Sequence, residues 1–121
     1  MNVIVIEDNK SIRDMLCAYI NAKNHNAVCA ENGKTGLELI TQKSFDVLLL
    51  DLAMPVYSGY DVINDMIKHQ LMDKIKVVVL TASSISNDEE KNLFQKGVKQ
   101  IWRKPIEPND LISGLESLNS V

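Results

Sequence analysis

The stretch Val47-Leu-Leu-Leu-Asp51-Leu-Ala-Met-Pro55 opens with four consecutive apolar residues and breaks abruptly at a carboxylate. A continuous apolar run of this length is what a strand buried on both faces of a parallel sheet requires. Two other runs share the form: Val3-Ile-Val-Ile6, ended by Glu7 and Asp8, and Val77-Val-Val-Leu80, ended by Thr81. A weaker run, Ala27-Val-Cys-Ala30, and a fifth, Gln100 to Arg103 followed by Lys104-Pro105, complete the set.

The segments between these runs carry helical spacing. Ile12, Met15, Leu16, Tyr19 and Ile20 form one apolar stripe. Leu37 with Ile40, Ile63 with Met66 and Ile67, Leu93 with Phe94, and Leu111 with Leu115 and Leu118 mark four more helices. Asn9, Ser58 and Ser86 are placed to cap the first, third and fourth, with Glu89 completing a capping box and Gly97 a stop signal. Strand and helix alternate five times, an α/β pattern that implies a parallel sheet covered on both faces. Right-handed crossovers then favour a doubly wound, flavodoxin-like (βα)5 sheet with strand order 2-1-3-4-5. No linker or repeat interrupts it, so residues 1–121 read as a single domain. Gly36 inside the second helix costs about 1 kcal/mol against alanine, and close packing is the simplest reason for it.

With 121 residues, 45% apolar and 24% charged, the chain has enough apolar material for one core. A formal charge of -3 argues against nonspecific attraction to nucleic acid or an anionic membrane. No signal peptide or membrane-spanning run is present, which makes a cytoplasmic location the expectation. Cys17 and Cys29 lack metal-ligand spacing and read as buried free thiols.

Ligands of an open parallel sheet bind beyond the carboxyl ends of its strands. Glu7, Asp8, Asp51, Thr81 and Lys104 each follow or end a strand there, so the topology brings all five to one edge. Each alone has a plainer reading as a cap, a strand-end hydroxyl or a solvated charge; five at the correct ends of their strands do not. Three carboxylates brought together repel and call for a hard cation such as Mg2+ (or Mn2+), which prefers oxygen ligands. Asp51 is then placed as a nucleophile toward a phosphoryl group, with the metal and Lys104 offsetting charge on its oxygens and Thr81 binding one afterwards.

Over essentially its whole length the sequence resembles the receiver domain of two-component response regulators. The matching stretches are Val5-Ile-Glu-Asp-Asn9, Asp51-Leu-Ala-Met-Pro55 with Gly59, Thr81-Ala82 and Lys104-Pro105. The resemblance implies that Asp51 is the phosphoacceptor, that Asp8 binds the metal directly and that Glu7 acts largely through a metal-bound water. It implies that the Ala53 carbonyl completes the protein's share of the metal shell, and that a cis bond precedes Pro105. It also implies a histidine kinase or phosphotransfer protein as donor, and no catalysis beyond the domain's own phosphorylation and dephosphorylation. Its output would be a downstream protein or a second copy, bound through the fourth helix, fifth strand and fifth helix. A basic strip there would draw on Lys91, Gln95, Lys99, Gln100 and Arg103.

The sequence departs from the family pattern in two places. The acid pair is Glu-Asp rather than the commoner two aspartates, and Ile101 stands where the family usually carries Tyr or Phe. Trp102 is a candidate substitute for that ring, or a core-packing indole. Ala53 and Ser83, both small, flank the site where the family tunes phosphoryl loss, and imply an intermediate lifetime. A haloacid-dehalogenase phosphatase would need its nucleophile on the first strand and an acid at the position of Ala53. A flavin or nucleotide module would need a phosphate loop where Glu7-Asp8-Asn9-Lys10 stands. The remaining alternative is a pseudo-receiver, the same fold used only as a phosphorylation-independent binding surface.

Overall fold

A computed structural model describes residues 1–82 and 84–119. Five strands and five helices alternate: β1 (Asn2–Ile6), α1 (Lys10–Ala22), β2 (Asn26–Ala30), α2 (Gly33–Gln42), β3 (Val47–Leu50), α3 (Gly59–Lys68), β4 (Lys76–Thr81), α4 (Asn87–Gln95), β5 (Gln100–Arg103) and α5 (Pro108–Asn119). All strand pairs are parallel, in the order β2-β1-β3-β4-β5.

Alternate residues of each strand feed two cores. Ile4, Ile6, Leu48, Leu50, Val77 and Val79 pack toward α2, α3 and α4 with Ile40, Ile63, Met66 and Leu93. Val3, Val5, Val47, Leu49, Val78 and Leu80 pack toward α1 and α5 with Leu16, Ile20, Leu111 and Leu115. Each such side chain, fully sealed, contributes about 1.5–3 kcal/mol relative to exposure. This two-sided burial is why the central strands carry unbroken apolar runs.

The caps follow the local chemistry. Asn9, Asn32, Ser58 and Ser86 each accept an amide from the first turn, and Ser58 with Asp61 and Ser86 with Glu89 close capping boxes. After α4, Gly97 takes φ 109°, and its N–H and that of Val98 return to the carbonyls of Phe94 and Leu93. That is a Schellman stop, which favours glycine at the left-handed position. Gly36 is explained by contact: a methyl group there would lie 2.3 Å from Ile6 Cδ1.

The cysteines overturn their expectation. Cys17 of α1 and Cys29 of β2 are only half-buried and are joined in a disulfide, with Cα atoms 6.3 Å apart. α1 packs back along the edge strand into which it leads, and that packing brings residues 12 apart in sequence within bonding reach. Spacing alone gives no sign of such a pairing.

Candidate functional site

Three backbone hydrogen bonds just past the strand ends set where the polar side chains emerge. Glu7 N–H donates to Ala30 O at 3.2 Å, Asp51 N–H to Ile6 O at 3.1 Å, and Lys104 N–H to Thr81 O at 2.9 Å. Each prolongs a sheet ladder by one bond, so Glu7, Asp51 and Lys104 leave the sheet at one level with Thr81, the last residue of β4. Glu7 is 2% exposed, Asp51 5% and Thr81 0%, whereas Asp8 faces solvent.

Oxygen atoms of Glu7, Asp8 and Asp51 lie within 4.8 Å of one another. Lys104 Nζ is in direct contact with Glu7 Oε1 and 3.6 Å from Asp51 Oδ2. The Ala53 amide donates to Asp51 Oδ1 at 3.2 Å, and the Asn9 amide to Glu7 Oε2 at 3.3 Å. One lysine faces three carboxylates, two of them buried. Buried charges need compensation, and an all-oxygen donor set of this density suits a hard divalent cation. The chain's residues therefore fit such an ion.

Arg13 was not singled out by the sequence. Its guanidinium reaches back from α1 and donates from Nη1 to Glu7 O at 3.0 Å and Asp8 O at 3.3 Å. It braces the loop that carries both acids. A basic residue one turn into the helix that follows an acid pair is the only sequence signal it left.

Residues 3–116 match the family model described as the response regulator receiver domain. The chain belongs to that family. It is 28% identical over 116 residues to the probable transcriptional regulator ycf29 of Pyropia yezoensis, a match covering 96% of this chain and 52% of that protein. The receiver thus spans about half the length of the curated relatives it matches. Among solved structures, chemotaxis protein CheY4 of Vibrio cholerae superimposes with a TM-score of 0.87 at 23% identity, over 97% of both chains. Response regulator TrrA of Thermotoga maritima, solved in complex with Mg(2+)-BeF, gives 0.80 at 23% identity, again over 97% of both. At these identities the structures speak for the fold.

The receiver's departures acquire a geometry. Ile101 packs with the core beneath α2, α3 and α4, on the same face of the sheet as Val79, its register partner. Trp102 lies on the opposite face, against the core beneath α1 and α5 and over Gly114 of α5, with Nε1 donating to Gln100 Oε1 at 2.7 Å. The indole therefore cannot stand in for a ring at 101, because adjacent strand residues point to opposite faces. The Lys104–Pro105 bond is cis, as the resemblance implied. Ser83 lies outside the described residues.

Of the residues expected to form a strip on α4 and β5, Lys91, Gln95, Lys99 and Arg103 are exposed and Gln100 is partly buried. Arg103 is paired with Glu90 at 3.5 Å, and Gln100 is engaged by Trp102. Lys99 lines a cavity at the other end of the sheet with Asp46, Asp73 and Lys76. Asp88, Glu89 and Glu90 make the first turn of α4 acidic. Charge spacing along the chain counted the cations without their neighbours in space. No helix among the described residues is long and apolar enough to cross a membrane.

Proposed function

We propose that Asp51 accepts a phosphoryl group from a phosphohistidine donor, a histidine kinase or phosphotransfer protein, in a metal-dependent reaction. The observation that carries this is the meeting of Glu7, Asp8, Asp51, Thr81 and Lys104 at one sheet edge, with three carboxylates inside 4.8 Å. The family match supports it. On this reading residues 1–121 form one receiver domain.

Asp51 is held for attack by the Ala53 amide on Oδ1, which leaves Oδ2 to the reacting phosphorus. An Asp51 oxygen forms the new P–O bond as the donor's P–N bond breaks, and the imidazole leaves with its electron pair. Lys104, 3.6 Å from Oδ2, would compensate the phosphoryl oxygens. Thr81, sealed at the end of β4, would donate its hydroxyl to one of them once the bond has formed. Glu7, Asp8, Asp51 and the Ala53 carbonyl would hold Mg2+ (or Mn2+), which when bound neutralises charge developing on the phosphoryl group. The only chemistry assigned to the domain is its own phosphorylation and dephosphorylation.

Output would pass through α4, β5 and α5 to a downstream protein or a second copy. Phe94, 46% exposed on α4, supplies apolar area there. The complete set of acids, acceptor, hydroxyl and lysine speaks against a pseudo-receiver.

The test is intact-mass measurement after incubation with Mg2+ and acetyl phosphate. One phosphoryl adduct is expected, absent from Asp51→Asn and from a chelated control. No adduct after rapid quenching would overturn the proposal.

A further inference from the structure

The segment that carries the acid pair is held from both sides by elements that share a covalent bond. Glu7 N–H donates to Ala30 O at the end of β2, and Glu7 O accepts from Arg13 Nη1 of α1. Cys29 is the residue before Ala30, and Cys17 lies one helical turn beyond Arg13. The Cys17–Cys29 disulfide therefore ties the two supports of Glu7 to each other. Neither cysteine is sealed, so a small thiol can reach the bond. The fold also suits the reduced pair. Cys17 Sγ lies 3.7 Å from Ala27 O and Cys29 Sγ 3.7 Å from Arg13 O, which gives each thiol an acceptor. The second acceptor belongs to the residue that braces the acid pair.

We propose that Cys17 and Cys29 form a reversible thiol–disulfide switch that tunes the affinity of the acid pair for a divalent cation. The inference rests on the metal-site reading above. Oxidation by a low-molecular-weight disulfide proceeds by exchange. One cysteine thiolate, its proton given to solvent, attacks a sulfur of that disulfide and displaces one small thiolate. The second cysteine thiolate attacks the mixed disulfide at the protein sulfur. The Cys17–Cys29 bond forms and a second small thiolate leaves; both small thiolates take up protons. The two cysteines lose two electrons and the small disulfide gains them. In the oxidised state α1 is pinned to β2, so Arg13 stays over the carbonyls of Glu7 and Asp8. Once the bond is cut, only noncovalent packing joins the two supports. The acid pair loses part of its preorganisation, and the cation binds more weakly.

Calorimetry with MgCl2 alone compares oxidised wild-type protein with protein reduced and freed of reductant under argon, both checked by circular dichroism. The oxidised form should bind Mg2+ about fivefold more tightly, at the low end of couplings between distinct sites. A Cys17→Ser, Cys29→Ser double variant should bind like the reduced protein in any redox buffer. Arg13→Ala should shrink the gap between the two states to about twofold or less, which a bond serving stability alone would not do. Linkage is reciprocal, so Mg2+ must also stabilise the disulfide. In wild-type protein titrated with glutathione mixtures, saturating Mg2+ should lower the reduction potential by about 20 mV, the same fivefold for a two-electron couple. This second readout needs no variant. A pair that does not exchange with glutathione, or a native spectrum lost on reduction, overturns the switch. Equal Mg2+ affinities in the two states, with an unmoved potential, overturn the coupling and leave the metal site standing. No Mg2+ binding in either state overturns the metal-site reading and the coupling with it.

Discussion

Replacing Gly59 with alanine should destabilise the domain more than its small size suggests. The added methyl would lie 2.4 Å from Asp51 O and 2.7 Å from Leu52 Cα. Non-bonded carbons sit comfortably at about 3.5–4.0 Å, so roughly an ångström of movement must be found. Nothing there can rotate aside: Asp51 N–H is tied to Ile6 O, and Gly59 N–H to Leu52 O at 3.1 Å. Overpacking typically costs about 1–3 kcal/mol, and a clash with backbone belongs at the upper end. Helix propensity returns at most about 1 kcal/mol. The net loss should be about 2 kcal/mol, or a fall in Tm of roughly 6–10 °C for a domain of this size. Gly36→Ala is the internal comparison, since its methyl meets Ile6 Cδ1 and Cγ1, atoms of a side chain that can shift. It should cost about 1 kcal/mol less. Urea unfolding with matched m-values measures both. A Gly59→Ala protein within about 0.5 kcal/mol of wild type, or a costlier Gly36→Ala, would refute the reasoning.

Arg13→Ala should weaken Mg2+ binding about threefold to tenfold with the fold intact, since the carbonyls of Glu7 and Asp8 lose their shared donor; Arg13→Lys should restore part of the affinity, and calorimetry reads both. Cys17→Ser should cost about 2–3 kcal/mol, as expected for a cross-link closing a short loop. Reductant should lower the Tm of wild type but not of the variant. Burial first, and then the hydrogen bond to Glu89, push the Tyr60 hydroxyl above the ordinary tyrosine value. The folded state then holds a proton that the unfolded state gives up. This contribution is full below the ordinary tyrosine range and is lost as pH climbs through the raised value. Urea unfolding across alkaline buffers should show a shallower loss of stability for Tyr60→Phe than for wild type.

The sheet was legible because its strands are buried on both faces. Val3 to Ile6, Val47 to Leu50 and Val77 to Leu80 each announce a central parallel strand, and each is followed by the polar residue that matters. The site was legible for the same reason, since a parallel sheet gathers its strand ends at one edge. What stayed hidden depends on contacts between elements distant in sequence or folded back on themselves. The Cys17–Cys29 bond needs α1 to lie along β2, and Arg13 needs its helix to turn its side chain back over the loop. The partners of the strip were hidden likewise: Glu90 pairs with Arg103, and Trp102 donates to Gln100. Trp102 itself was decided by strand parity, which places it across the sheet from Ile101.

Lys104 reaches Glu7 across 97 positions of chain. Synthesis from the N-terminus therefore delivers the acids and the acceptor before their lysine. A nascent chain folded through β4 would gather three carboxylates around one point with no ammonium between them. Until β5 docks, an ion from the surrounding solution is the available counter-charge. A divalent cation would then serve the emerging domain as a temporary replacement for its fifth strand, and the cell's free Mg2+ would influence how early in translation the sheet can close.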